Sequence, residues 1–419
     1  MVLSLQKTGQ LGAFLMAILI FGFPLQSFIP FLLRVNSNPI NVTFRIIYFI
    51  ISLILIFFQI KFSSKVFLGW AAFIFFWAVY AVRLIYDLEV KGLTYIDTEK
   101  SFVYSSAFGI ILVPSIAIYY SAKYMNTKYV LKVIFTILIL SNICLCYSIL
   151  SFGHWNILEI IINRANVNVE INGEQKSIVN PITISYFGEI LAIMSIHILN
   201  FKLLSNKSAF KWLLYVCIFL GIFNLVLGGS RGPMVSFAIL FVIELYFSFK
   251  KNNFHIVHIS KIFFLSVLLI SALIYNFSNK VSFDDISILS RLAYSSEAKE
   301  YGVKEERDFL FESAWNQFLD SPIIGDSFLT KEPYSSYSHN LILDVLMATG
   351  VIGMIIFVLF GFFIIKILVQ KISSYRDLEI WKLYTIIYFS ILLICMTSGG
   401  LFVSSNFWIF SAFILGSLK

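Results

Sequence analysis

Apolar runs of about 20 residues recur along nearly the whole chain, separated by short polar breaks. Twelve can be marked, at 11–33, 44–60, 66–86, 104–122, 129–150, 181–201, 210–228, 233–249, 256–277, 341–365, 380–398 and 401–418. A helix of about 20 residues crosses roughly 30 Å of hydrocarbon. The pattern therefore predicts an all-α polytopic membrane protein of about 12 transmembrane helices, with residues 1–419 forming a single integral membrane domain. Two breaks are too long to be simple connections. In 151–180, Val167, Val169 and Ile171 alternate ahead of Asn172-Gly173, the signature of a small hairpin. The other, 278–338, separates spans nine and ten, and a connection of about 60 residues is expected to be functional. Within it, Leu310, Phe311, Ala314, Trp315, Phe318 and Leu319 fall at helical spacing, predicting an amphipathic helix over 304–320 on the membrane surface or the bundle. Arg307, three and four residues before Leu310 and Phe311, should project from its apolar face toward the interior.

Composition excludes a water-soluble enzyme. Of the 419 residues 59% are hydrophobic and 13% charged, about half the charged share of a soluble domain, and the mean hydropathy is +0.87. The net charge of +8 is segregated by side, so it reports topology and no nucleic-acid partner. With both termini cytoplasmic, seventeen of the 31 basic residues fall at cytoplasmic ends, among them Lys61, Lys65, Lys123, Lys128, Lys132, Lys207, Lys211, Lys250 and Lys251. Eight lie in the short segments opposite (Arg34, Arg45, Arg83, Lys91, Lys100, Arg164, Lys176 and Arg231), as the positive-inside rule requires. Both large breaks then face outward. Lys7 precedes an apolar run too long for a signal peptide, and Cys144, Cys146, Cys217 and Cys395 lie within apolar runs, as small buried hydrophobes do.

Chemistry-bearing residues concentrate on that outward side. Gly228-Gly229-Ser230-Arg231-Gly232-Pro233 is a tight turn whose proline suits the first turn of a helix. A helix N-terminus beside a guanidinium matches a phosphate in both charge and donor geometry, and glycines let a ligand approach the backbone. A bare helix anchor at the headgroups is the simpler role for such an arginine. Ser338-His339-Asn340 leads into span ten, with Asp344 one turn beyond Asn340 and able to share a polar network with it. Histidine exchanges a proton near neutral pH, although an interfacial histidine is more often structural. Arg83 and Asp87, one turn apart, should pair at a span end. Arg45, Glu189, His197 and Glu244 are intramembrane or interfacial ionisable groups and so suspects by default, although His197 and Glu244 lie near the cytoplasmic ends and should snorkel. Asp87-Leu88-Glu89, Asp284-Asp285 and the pair His255/His258 are poor metal signals, so no metal site and no cofactor are expected.

Taken together, these segments resemble the O-antigen polymerase and O-antigen ligase superfamily. The resemblance rests on the Gly-Gly-Ser-Arg-Gly-Pro turn, on Glu306-Arg307-Asp308-Phe309-Leu310, on Asp320-Ser321-Pro322-Ile323-Ile324-Gly325, and above all on His339-Asn340 followed by nine residues and Gly350-x-x-Gly353. It covers roughly 181–365 by motif; the amino-terminal spans carry none. It implies a metal-independent glycosyltransferase of the bacterial inner membrane. Such an enzyme takes a glycan from undecaprenyl pyrophosphate on the periplasmic side and joins its reducing end to an acceptor hydroxyl. Carried over by motif, Arg231 and Arg307 would bind the donor pyrophosphate, with Arg291, a second loop arginine, as the alternative to Arg307. His339 would orient or deprotonate the acceptor hydroxyl, supported by Ser230, Gly232, Asn340 and Asp344. Implied partners are the lipid-linked donor and acceptor, the bilayer, a chain-length regulator and a flippase.

The main reading is the polymerase, whose acceptor is another lipid-linked repeat unit; the ligase, whose acceptor is lipid A-core, shares every motif quoted. A flippase or transporter is the competing class, since twelve spans is a common transporter count, but the two halves lack corresponding broken spans. The orientation is testable by itself. A cysteine introduced at Ser296 should react with an impermeant thiol reagent on intact spheroplasts and one at Asn253 should not; the reverse pattern overturns the topology.

Overall fold

The computed structural model describes residues 5–35, 37–59, 67–95, 98–153, 155–156, 160, 167–171, 174–250, 306–331, 335–373 and 377–418. Helices α1 (Leu5–Phe21), α2 (Phe23–Leu33), α3 (Ser37–Gln59), α4 (Leu68–Glu89), α5 (Lys100–Ala122) and α6 (Thr127–Phe152) precede a hairpin of β1 (Val167–Ile171) and β2 (Glu174–Val179). There follow α7 (Pro181–Phe201), α8 (Ser208–Gly228), α9 (Arg231–Lys250), α10 (Glu306–Asp320), α11 (Leu341–Ser373), α12 (Leu378–Ser398) and α13 (Ser405–Gly416). Nine of these helices are long and apolar enough to cross a membrane, and they carry their exposed apolar side chains outward, as Phe57, Val82, Trp212 and Phe249 do. The protein is a multi-pass helical membrane protein.

Eleven of the twelve expected spans coincide with described helices; 256–277 lies outside the described residues. Two of the eleven differ from a simple crossing. The first is a pair, α1 and α2, bent by 64°. Pro24 stands in the first turn of α2 and lacks the N–H that would continue α1, so the chain turns at Gly22. The last, α13, has 12 residues and is about 18 Å long, short of the roughly 30 Å core. It is enclosed by aromatic rings: Trp408 lies 5.1 Å from Trp77, 5.5 Å from Phe76 and 5.8 Å from Phe360. Lys371 donates to the Ser417 carbonyl at 2.8 Å, which fixes the end of α13 at the far end of α11. The loop before α13, 399–404, consequently sits within the bundle.

Helix α7 is the hub, with every residue from Ile184 to Phe201 buried. Glycine lets α8 press against it: a Cβ on Gly188 would lie 2.4 Å from the Gly221 carbonyl oxygen, and one on Gly228 would meet Ser185. Close approach through small residues is how helices associate where lipid offers no hydrophobic incentive. Polar groups on this hub pair internally. Asn142 donates to the Phe187 carbonyl at 3.1 Å and Asn224 to Asn142 Oδ1 at 2.9 Å. His197 and Glu244 do not snorkel. They are fully buried, with Nδ1 2.6 Å from Glu244 Oε2 and Nε2 2.9 Å from the Glu379 carbonyl oxygen. The Glu379 carbonyl oxygen can only accept, so Nε2 donates in that contact.

Helix α11 is broken at Gly350, whose φ of 60° and ψ of −159° suit glycine alone. Into the break runs the 321–326 segment, where Gly325 has φ 75°. Val351 N–H donates to Pro322 at 2.8 Å, Ile352 N–H to Ile323 at 3.2 Å, and Asp326 N–H to Met347 at 2.8 Å. Backbone groups released by the break are thereby satisfied by the crossing strand of chain. Arg83 of α4 clamps the crossing, donating to the carbonyls of Ala348 (3.1 Å), Asp326 (2.9 Å), Ile324 (3.0 Å) and Gly325 (2.9 Å). Asp87 accepts from Phe328 N–H at 2.9 Å and stands 3.8 Å from Arg83 and 3.4 Å from Lys91. Burial opposes the charge on Asp326, but Lys331 and Lys91 outweigh it and hold that carboxyl below its usual pKa.

The crossing can be tested by adding one carbon. A Cβ on Gly350 would lie 2.5 Å from Ile323 backbone atoms and one on Gly325 2.4 Å from Ala348, whereas Gly361, in the same helix as Gly350, faces open space. Gly350→Ala and Gly325→Ala should each cost more than about 3 kcal/mol, seen as loss of the monodisperse peak after mild heating in detergent. Gly361→Ala should be neutral or stabilising by up to about 1 kcal/mol. Equal tolerance at all three positions would show that the crossing does not constrain the fold.

Candidate active site

The turn 335–340 joins the crossing to α11. Asn340 caps the helix, its Oδ1 accepting from Ile342 N–H (3.0 Å) and Leu343 N–H (3.1 Å), as a side-chain cap does; its Nδ2 donates to the Met396 carbonyl at 3.1 Å. Asp344 is buried beneath the turn and reaches it through Ser338, whose N–H (2.8 Å) and hydroxyl (2.6 Å) both donate to Oδ1. Oδ2 accepts from Leu401 N–H at 3.2 Å, tying the turn to the loop before α13. The expected Asp344–Asn340 network thus runs through Ser338. Held from both sides, His339 adopts φ 59°, a left-handed conformation uncommon outside glycine. Its ring packs on Tyr337 at 4.4 Å, and Tyr337 stacks on Tyr95 at 5.7 Å. Burial, with the Asp344 charge adding to it, raises the Tyr337 phenol well above its ordinary pKa although the Arg307 guanidinium acts the other way, so Tyr337 remains a protonated donor.

Both candidate arginines reach this neighbourhood. Arg307 lies on α10, which spans Glu306–Asp320, and is half-buried with its charge acting on Tyr337. The buried face of α10 is narrower than its apolar spacing predicts: Leu310, Ala314 and Gln317 are buried while Trp315 and Leu319 are exposed. Gln317 takes an inner position because it serves the crossing loop, donating to Leu329 at 3.2 Å and accepting from Lys331 N–H at 3.2 Å. Arg231 is itself the first residue of α9, two positions before the proline expected to start it. Gly229 ends α8 in a left-handed conformation and Ser230 N–H donates to Ser185 Oγ at 3.2 Å. Gly232 faces Thr397, 2.9 Å from where its Cβ would stand. Since Asn340 bonds Met396, the Arg231 and His339 turns meet the same last turn of α12. Arg291, Asp284, Asp285, His255 and His258 lie outside the described residues.

Beside this junction is a cavity of about 450 Å³, within the size range of small-molecule sites. His339 and Tyr337 form part of its wall, and α1, α2, α3, α5, α7 and α12 form most of the rest. Its charged side chain is Arg45, which donates to Ser105 Oγ at 2.7 Å and lies 4.8 Å over the Phe102 ring. Ser105 opens a π-helical stretch, Ser105–Leu112, inside α5, a distortion that often marks functional sites. Sequence reasoning flagged Arg45 for its depth alone. The spacing Asn41, Arg45, Tyr48, a polar face on an otherwise apolar span, was the signal available for the cavity.

Two acids elsewhere are engaged by neighbouring side chains: the buried Glu189, whose Oε1 accepts from Ser236 (2.6 Å) and Ser390 (2.8 Å), and the exposed Glu89, which accepts from Tyr104 (2.8 Å) and Lys100 (3.1 Å). Among the described residues no three His, Cys, Asp or Glu side chains converge as a metal site.

Residues 216–358 match a family described as O-Antigen ligase. No curated protein and no solved structure matches the chain. The matched stretch contains Arg231, Arg307, His339, Asn340, Asp344 and both glycines of the crossing, Gly325 and Gly350. The match, on a multi-pass helical fold, supports membership of the O-antigen polymerase and ligase superfamily.

Proposed function

We propose that this chain is a glycosyltransferase that polymerises undecaprenyl-pyrophosphate-linked O-antigen repeat units on the periplasmic side of the bacterial inner membrane. In this reading the chain is one integral membrane unit with both termini cytoplasmic, and 151–180 and 278–338 are periplasmic. The observation that supports the reading is that the Arg231 and His339 turns meet at the last turn of α12, with the Arg307 charge acting on Tyr337 beside His339 and a cavity adjoining them.

His339 takes the proton of the acceptor hydroxyl as its oxygen attacks the anomeric carbon of the donor glycan. The bond from that carbon to the phosphate oxygen breaks, and undecaprenyl pyrophosphate leaves with the electron pair. Arg231 and Arg307 stabilise the growing charge on the leaving group, a role fixed guanidiniums fill without reorganising. Asp344 and Ser338 act on the reaction only through the position of His339. The printed description of the matched family favours a second reading, in which the acceptor is lipid A-core. The acceptor distinguishes the two: elongation of one lipid-linked repeat by another supports the polymerase, and transfer only to lipid A-core supports the ligase.

Glycan transfer from a purified lipid-pyrophosphate donor, with EDTA present, tests the arginines. Arg231→Lys and Arg307→Lys should each lose most activity although charge is kept, because a bidentate fork is lost. Full activity in Arg231→Lys would reduce that residue to a helix anchor, and activity abolished by EDTA and restored by a divalent ion would overturn the metal-independent mechanism.

His339 needs a variant that tolerates its backbone. Asparagine is enriched in left-handed conformations, so His339→Asn should keep the fold while, like His339→Ala, slowing transfer by about a hundredfold or more. Turnover and turnover over KM should fall together, and unpolymerised single repeats should accumulate facing the periplasm. Repeats trapped on the cytoplasmic side would indicate a flippase and remove the transferase reading.

A further inference from the structure

We propose that the cavity beside His339 seats the acceptor sugar and that Arg45 reads a carboxylate on it, so that the acceptor's terminal residue is a uronic acid. This rests on the reading of His339 above. Three observations assign the cavity to the acceptor. His339 and Tyr337 form part of its wall, whereas Arg231 and Arg307 do not line it. A sugar in the cavity would present a hydroxyl to the histidine, with the phosphates held by arginines outside the cavity lining. The lining is suited to a saccharide, with amides and hydroxyls from Gln26, Asn41 and Tyr186 among aromatic rings. Among the described residues no acidic side chain lines it.

Among the described residues Arg45 then lacks the counter-charge that an arginine at the membrane boundary or within it favours. It lies about two turns into α3, and among the described residues it makes no ion pair and has the Ser105 hydroxyl and the Phe102 face as its polar and ring contacts. Ser105 Oγ in turn lies 3.0 Å from the Phe102 carbonyl oxygen, so its proton is committed there and its lone pair is presented to Arg45. One guanidinium nitrogen is thus engaged, and Arg45 is a lining residue of the cavity. One turn away on the same face, Asn41 Oδ1 is buried without a hydrogen-bond partner, an acceptor awaiting a donor such as a sugar hydroxyl. A carboxylate on Arg45 with a neighbouring hydroxyl on Asn41 satisfies both orphaned groups at once. Apart from Tyr337 and His339 the lining lies outside the matched residues 216–358, as expected of the part that selects a particular sugar.

The test is a binding measurement independent of transfer. The full-length protein in phosphatidylcholine nanodiscs would be titrated, by ligand-observed NMR, with methyl uronosides and with the parent methyl hexosides that lack only the carboxylate. In the wild type at least one uronoside should bind about tenfold more tightly than its parent, and the preference should shrink with added salt. Arg45→Gln should abolish it, Ser105→Ala should weaken it, and Arg231→Lys should leave it intact. No preference in any pair of the wild type overturns the inference without recourse to a variant, as does a preference that survives Arg45→Gln or disappears in Arg231→Lys. Loss of the preference in nanodiscs containing phosphatidylglycerol would assign the site to a lipid headgroup and also overturn it. A protein that shows the preference yet transfers no glycan would instead sink the function proposed above and leave the pocket standing.

Discussion

The backbone crossing of Gly325 and Gly350, gripped by Arg83, is the constraint on which the site end of the molecule depends. A helix inside a membrane cannot simply break, because each released N–H or carbonyl costs several kcal/mol in hydrocarbon. Here the break in α11 is filled by another stretch of chain, which takes over the orphaned groups, and by a guanidinium that caps four carbonyls together. From that fixed point the chain runs to Thr330, which bonds back to Ser336 at 2.8 Å, and then into the His339 turn. The motif glycines act in this scheme through architecture, since they allow two backbones to touch at the base of the loop that carries the candidate chemistry.

The same economy governs the rest of the interior. Glu189, His197, Asn142, Asn224 and Glu244 are all fully or almost fully buried, which would be ruinous for isolated groups. Each is met by a donor or acceptor from a neighbouring helix, as His197 and Glu244 meet each other. Polar contacts of this kind set which helices adjoin α7 and in what register, where lipid-like surfaces alone would permit sliding. Packing precision then passes to α12, which touches α7, α9 and α11 and ends where the Arg231 and His339 turns meet.

Much of this was legible in the sequence because it depends on local periodicity. The spans, the hairpin at Asn172-Gly173 and the helix at 306–320 follow from spacing of a few residues. What was hidden depends on contacts between distant positions. Nothing near Arg83 announces that its partners lie some 240 residues away, so a local pairing with Asp87 was the natural reading, and at 3.8 Å it is the weakest part of the clamp. His197 and Glu244 looked peripheral because span ends are counted along the chain, whereas burial is decided by which helices surround them. Gln317 entered the buried face of an apolar stripe because a long-range carbonyl needed its amide. Hydropathy also reports length without direction, so it could show neither the 64° bend after α1 nor the loop that shortens α13.

Residues 216–358 contain the turns of Arg231 and His339, the Arg307 helix and the glycine crossing, yet they build little of the adjoining cavity. Its walls come mostly from α1 to α3, α5, α7 and α12, including amino-terminal spans that carry no motif. In the proposed reading, attack on a glycan-pyrophosphate makes the same demands on charge and proton transfer whatever the sugar, so segments serving it could keep one spacing. Recognition of an acceptor differs with each sugar, and its residues are free to sit on helices whose only shared requirement is to be apolar toward lipid. Asn41, Arg45 and Tyr48 show how little sequence this takes: three positions on one face of α3 furnish an amide, a guanidinium and a phenol while the exposed face of the same helix stays apolar. The absence of a motif in the amino-terminal half is therefore what a selectivity wall built on membrane helices would produce.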